Sequence, residues 1–185
     1  IMPSLVGSEM CIRDRCWDED RFIRGIREDG VVVGAKSDPE ANMWLNPQSW
    51  SVISGFASRE QADKAMESVH SILNTKYGVK LLDPPYIKHM FGGAIMHIFN
   101  PDTKENGGIF SQSQGWLILA ESLLGHGNRA FEYFLESSPA SMNDRAEIRV
   151  IEPYVHGQFV ESTTSPFEGR AHVHWLTCLL YTSDA

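Results

Sequence analysis

Lys104, Glu105 and Asn106 stand side by side immediately before Gly107 and Gly108, in the run PDTKENGGIFSQSQGW at 101–116. A cation, a carboxylate and an amide in a row suit a polyhydroxylated ligand or a phosphate. The glycines allow close backbone approach, and a helix starting just beyond would offer unpaired N–H groups and a positive dipole end. The plainer reading is a glycine-rich helix start with a solvated polar triplet. A second group lies in IEPYVHGQF, where Glu152, Tyr154, His156 and Gln158 sit in an apolar frame. Such side chains must find partners, in the protein or in a ligand. His156 taken alone reads as a structural histidine. His172 and His174 would point the same way on a strand, but no converging Cys, His or carboxylate spacing supports zinc, so no metal is expected. Trp50, Trp116, Tyr154 and Trp175 could stack on sugar rings, although tryptophans at helical spacing more often belong to a core. There is no GxSxG, P-loop or dinucleotide fingerprint. A carboxylate pair for glycoside hydrolysis is a distance criterion that sequence does not supply.

The elements that must hold these groups read mainly as helices. Trp17 to Lys36 predicts a hairpin turning at Asp29-Gly30, followed by the polar loop SDPEANMW. Asn46 as cap and Pro47 at the first helical position predict a helix with Trp50, Ile53 and Phe56 on one face, ending near Gly55. Ser58 and Gln61 match a capping box, and Ala62, Ala65, Met66, Val69 and Leu73 follow at helical spacing. Residues 76–107 show no period and contain Pro84, Pro85 and Pro101; loops of that length are often functional. From about Gly108 a helix carries Trp116, Leu119, Ala120, Leu123 and Leu124 and stops at Gly125. Asn128 would cap another, with Ala130, Phe131, Phe134 and Leu135 on one face and an end at Ser137-Ser138-Pro139. Helical hairpins in series with long loops suggest a toroid or barrel of helices, with an irregular bundle as the alternative.

The chain has 185 residues, enough for one domain, and its formal net charge is -8. No basic run offsets that charge, so neither nucleic acid nor an anionic membrane is an expected partner. No apolar run approaches the ~20 residues of a membrane span. Cys11, Cys16 and Cys178 have neither metal spacing nor an even count, which fits a reducing cytoplasm. SLVGSEMCIRDR near the start and CLLYTSDA at the end look like translated adapter sequence. The expected organisation is therefore a non-native extension at 1–15, a native segment at 16–177 and a non-native tail at 178–185.

LNPQSWSVISGFAS, TKYGVKLLDPPY, PDTKENGGIFSQSQGWLILAESLLGHGNRAFEYF, AEIRVIEPYVHGQF and HWLT follow one another in this order. Over about Trp17 to Thr177 this series resembles the sugar phosphorylases of glycoside hydrolase family 94. The resemblance implies a partial (α/α)6 barrel with a short N-terminal β-hairpin, part of a much longer homodimeric parent. It implies inverting phosphorolysis of a β-linked gluco-oligosaccharide to an α-sugar 1-phosphate, with inorganic phosphate as co-substrate and no cofactor. Lys104 falls on the lysine that contacts the acceptor sugar, Gln158 on the glutamine that holds the donor sugar, and Thr177 on the threonine of the phosphate loop. Gln112 takes the place of the histidine that binds phosphate; an amide donates a hydrogen bond but carries no charge. The general-acid aspartate belongs to a motif upstream, so the chain alone is expected to be inactive. A related (α/α)6 hydrolase and a non-catalytic carbohydrate-binding helical domain are the rival readings.

Overall fold

The structure is a computed structural model that describes residues 13–88 and 98–174, with only the backbone of His174. Two tight hairpins, not one, occupy the first segment. β1 (Trp17–Asp18) pairs with β2 (Arg21–Phe22), and β3 (Gly25–Ile26) with β4 (Val32–Val33). The Asp29-Gly30 turn forms as the sequence predicts, with Gly30 at φ +84°. The extra reversal comes at Glu19 and Asp20, where Arg21 and Lys36 pair with the carboxylates. It also packs Phe22 edge-on against Trp17 and Phe56.

β5 (Met43–Trp44) pairs with β8 (Leu82–Asp83) and runs directly into α1 (Leu45–Ile53). Asn46 is therefore not the cap; the helix begins before it, and no side chain caps it. Gln48, fully buried, secures this start. Its amide donates to the carbonyls of Phe22 (2.8 Å) and Trp44 (2.9 Å), and its Oε1 accepts from the Phe22 N–H (2.8 Å). α3 (Ser111–Leu123) follows β9 (Ile109–Phe110) in the same manner. There Gln114 accepts from the Val79 N–H and donates to the carbonyls of Val79 and Phe110. α2 (Arg59–Leu73) carries the expected capping box, with both the Ser58 and Gln61 bonds in place. α4 (Gly127–Ser137) starts ahead of Asn128, which does not cap it.

Met66, Val69 and Leu73 of α2 meet Leu117 and Ala120 of α3, Tyr133 of α4, and Met43, Leu45 and Val79. The stripes expected on the other helices are only partly the buried ones. Trp50 on α1, Leu119 and Leu123 on α3, and Phe131, Phe134 and Leu135 on α4 are 41–60% exposed. Gln48, Ser49, Ser113, Gln114 and Glu121 are buried in their stead. For two of them the reason is packing against strands: Gln48 of α1 and Gln114 of α3 turn to backbone groups of Phe22 and Val79 that need partners, which swings apolar residues outward. β7 (Gly78–Val79) pairs with β6 (Asn74–Thr75). After a 3-10 turn at Ala140–Arg145 and α5 (Ala146–Arg149), β10 (Gly157–Val160) lies between β9 and β11 (Ala171–His174). The described residues are thus mainly helical with short strands, and none of their helices is long and apolar enough to cross a membrane.

Candidate functional site

The loop before β9 is wound on a buried ionic centre. Lys80, 5% exposed at its side chain, pairs with Asp83 and with Asp102 Oδ1 at 2.7 Å, and Asp102 is wholly buried. Asp102 Oδ2 accepts from the Thr164 N–H at 2.9 Å and from the Thr164 hydroxyl. Asn106, also fully buried, accepts from the Tyr86 N–H (2.7 Å) and donates to the carbonyls of Tyr86 and Phe99. Of the polar triplet, then, Asn106 is structural. Lys104 and Glu105 are the half-buried pair that the loop presents. Lys104 adopts φ +48°, a left-handed conformation that costs an ordinary residue roughly 1–3 kcal/mol. Its ammonium stands over the rings of Phe99 (5.3 Å) and Phe159 (5.9 Å). Glu105 Oε2 is buried and has no hydrogen-bond partner among the described residues. An ammonium can donate to sugar hydroxyls, and a carboxylate oxygen without a partner can accept from them.

The sheet ties the other expected residues to this loop. Phe159 pairs with Phe110 and with His172, and the Ser111 hydroxyl donates to the Gly157 carbonyl at 2.6 Å. Gln112 therefore opens α3 next to the strand that carries Gln158, and both are half-buried. Side chains alternate along a strand, so Gln158 leaves β10 on the face opposite Phe159, the ring beneath Lys104. Lys104 and Gln158 thus flank one strand and do not share a face. Thr177 and Trp175 lie outside the described residues, as do Cys11 and Cys178 and most of the two expected non-native ends.

Residues 8–181 match the sequence profile described as Glycosyl hydrolase 94 superfamily, catalytic domain. The chain belongs to this family. It is 34% identical over 173 residues to the N,N'-diacetylchitobiose phosphorylase of Vibrio furnissii, covering 90% of this chain and 22% of that protein. It is 48% identical over 85 residues to the cellobionic acid phosphorylase of Neurospora crassa (44% of this chain, 11% of that protein). It is 29% identical over 161 residues to the solabiose phosphorylase of Paenibacillus borealis, with 87% and 21% covered. The chain thus spans about a fifth of the chitobiose and solabiose phosphorylases.

Three further features of this glycosyl hydrolase 94 segment bear on the site. His172 Nε2 pairs with Glu161 at 2.5 Å, and its ring stacks on Phe159 at 5.0 Å, so it is a partnered residue of the sheet. His156, with Tyr77, Ser111, Gln114, Glu136 and Arg149, borders a cavity of about 30 Å3, room for one water. Burial, then the Arg149 charge, holds the His156 imidazole below its ordinary value. Burial pushes the Glu136 carboxyl up to about 7. A larger open concavity of about 570 Å3, bordered by Asp63, Glu67, His126 and Arg129, lies at the other end of α3 from Gln112. It holds none of the expected site residues. Among the described residues no group of three or more His, Cys, Asp or Glu could hold a metal ion. Sequence reasoning missed Lys80, Asp102 and Thr164, since nothing in their spacing shows that three separate segments meet there.

Proposed function

We propose that this chain is the part of a sugar phosphorylase that closes one side of an (α/α)6 barrel and carries the acceptor-side wall of its site. The parent would cleave a β-linked disaccharide or oligosaccharide by phosphorolysis with inversion, releasing an α-sugar 1-phosphate. The observation that supports this most is the family match over residues 8–181, with phosphorylases as its relatives. Lys104, on its aromatic platform, and Glu105 would contact the acceptor sugar, and Gln158 the donor sugar. Gln112, at the first turn of α3, would join Thr177 in holding phosphate, helped by the helix's unpaired N–H groups.

Phosphate is itself the nucleophile in such a reaction, so the site needs one acid for the leaving oxygen and a cradle for the anion. The acid would come from the preceding part of the parent, which leaves the chain inactive by itself. No organic cofactor or metal is needed for these steps. The parent would act as a cytoplasmic homodimer. The test is to incubate the full-length parent with N,N'-diacetylchitobiose, cellobiose and cellobionic acid, with and without inorganic phosphate, and to measure sugar 1-phosphate. Strictly phosphate-dependent release is expected. Release of free sugar that continues without phosphate would establish a hydrolase instead, and no turnover with intact sugar binding would establish a binding domain.

A further inference from the structure

Asp102 is completely buried and is none of the groups proposed to touch substrate. It nonetheless joins three segments of the chain. Its Oδ1 meets the Lys80 ammonium, its Oδ2 takes the N–H and hydroxyl of Thr164, its carbonyl accepts from the Ser162 N–H, and its own N–H donates to the Asn106 carbonyl. We propose that Asp102, braced by Lys80 and Thr164, is a positioning residue that sets where Lys104 and Glu105 stand toward the acceptor sugar; this rests on the phosphorylase reading above.

The backbone argues for the role. Asp102 at φ +61° and Lys104 at φ +48° are both left-handed, a conformation that non-glycine residues keep only where the surroundings over-determine it. The loop also closes on Asp102 itself. A Cβ at Gly107 would lie 2.8 Å from Asp102 Oδ1, and one at Gly108 would lie 2.6 Å from the Lys104 carbonyl. Those two glycines are thus required by the contact of the loop with the carboxylate and with its own turn. Lys80 already has a second carboxylate in Asp83, so neutralising Lys80 does not require Asp102. What Asp102 adds is the connection from Lys80 across to Thr164, and the Lys104 turn hangs between its two ends.

The test uses the full-length parent in the synthetic direction, with sugar 1-phosphate as donor and acceptor sugar varied, on Asp102→Asn and Thr164→Val. Asp102→Asn is expected to raise the acceptor KM about tenfold while kcat changes less than about threefold. Thr164→Val, which loses the hydroxyl and keeps the backbone N–H, is expected to raise it several-fold. Amide hydrogen exchange at Asn106 and Gly108, whose N–H groups close the loop, should quicken in both variants. A lowered Tm with acceptor KM and exchange at these amides unchanged would overturn the proposal, leaving Asp102 a stability residue. If Asp102→Asn does not fold, Thr164→Val decides by the same split. A wild-type parent with no phosphate-dependent activity would instead defeat the phosphorylase reading, and the exchange comparison alone would then decide the clamp.

Discussion

Glu136 offers a test in which the sign of the effect depends on pH. Its Oε1 accepts from Asn74 Nδ2 at 3.2 Å, and its Oε2 is buried with no hydrogen-bond partner among the described residues. Burial, with the Glu132 charge adding to it and the Asn74 bond opposing it, raises the carboxyl from about 4.5 to about 7. A folded-state value above the unfolded one means that the native protein binds the proton more tightly. Stability from this group is full below pH 4.5, falls as pH rises through 7, and is then lost. The full shift corresponds to about 3 kcal/mol, and partial access to water reduces this to roughly 1–3 kcal/mol. Glu136→Gln removes the charge while keeping the oxygen that meets Asn74. It should melt close to wild type at pH 4.5 and roughly 2–12 °C above it at pH 8.5, given ~2–4 °C per kcal/mol at this size. The assay is thermal unfolding by circular dichroism of both proteins in matched buffers from pH 4.5 to 8.5, read as the difference. A difference that does not vary with pH, or a wild type that is the more stable at pH 8.5, would refute the account of Glu136 as a carboxyl disfavoured in its charged form.

Gln114→Leu removes three backbone-directed hydrogen bonds and leaves buried amide and carbonyl groups of Val79 unpaired; a loss of roughly 2–4 kcal/mol is expected in urea unfolding. Tyr133, wholly buried with its hydroxyl 3.2 Å from His70 Nδ1, should cost about 1 kcal/mol as Tyr133→Phe, measured in the same way. Gln112→His in the full-length parent should lower the KM for phosphate about three- to tenfold, more at pH 6 than at pH 8, because the imidazolium adds a charge that the amide lacks. The isolated chain should self-associate through Trp50, Leu119, Leu123, Phe131, Phe134 and Leu135; sedimentation that shows a monomer at tens of micromolar would contradict this.

Local signals in the sequence were the ones it conveyed faithfully. The Ser58–Gln61 capping box, the buried series Ala62 to Leu73, the Asp29-Gly30 turn and the stop at Gly125 each depend on residues a few positions apart. The helix starts at Asn46 and Asn128 were misread, since strand pairing at Met43–Trp44 and the Glu121–His126 contact at 2.6 Å act from outside the helix. The apolar stripes of α1, α3 and α4 misled for a related reason. Residues such as Leu119 and Leu123, or Phe131, Phe134 and Leu135, do share a helix face, but it is the exposed one, and spacing alone does not tell which face is buried. At the site, motif spacing located Lys104 and Glu105 in a structured loop. It did not reveal that Asn106 is spent on holding that loop, nor that Asp102 reaches from Lys80 to Thr164.

Gln48 and Gln114 hold the starts of α1 and α3 with the same set of bonds: one to the carbonyl four residues back and two to a residue of a neighbouring strand. A primary amide has no proton to gain or lose in the range where carboxylates and imidazoles titrate, and it attracts no counterions. Neither acid nor salt therefore acts on these two fastenings directly. The starts of α1 and α3 are thus held by bonds that change with neither pH nor ionic strength.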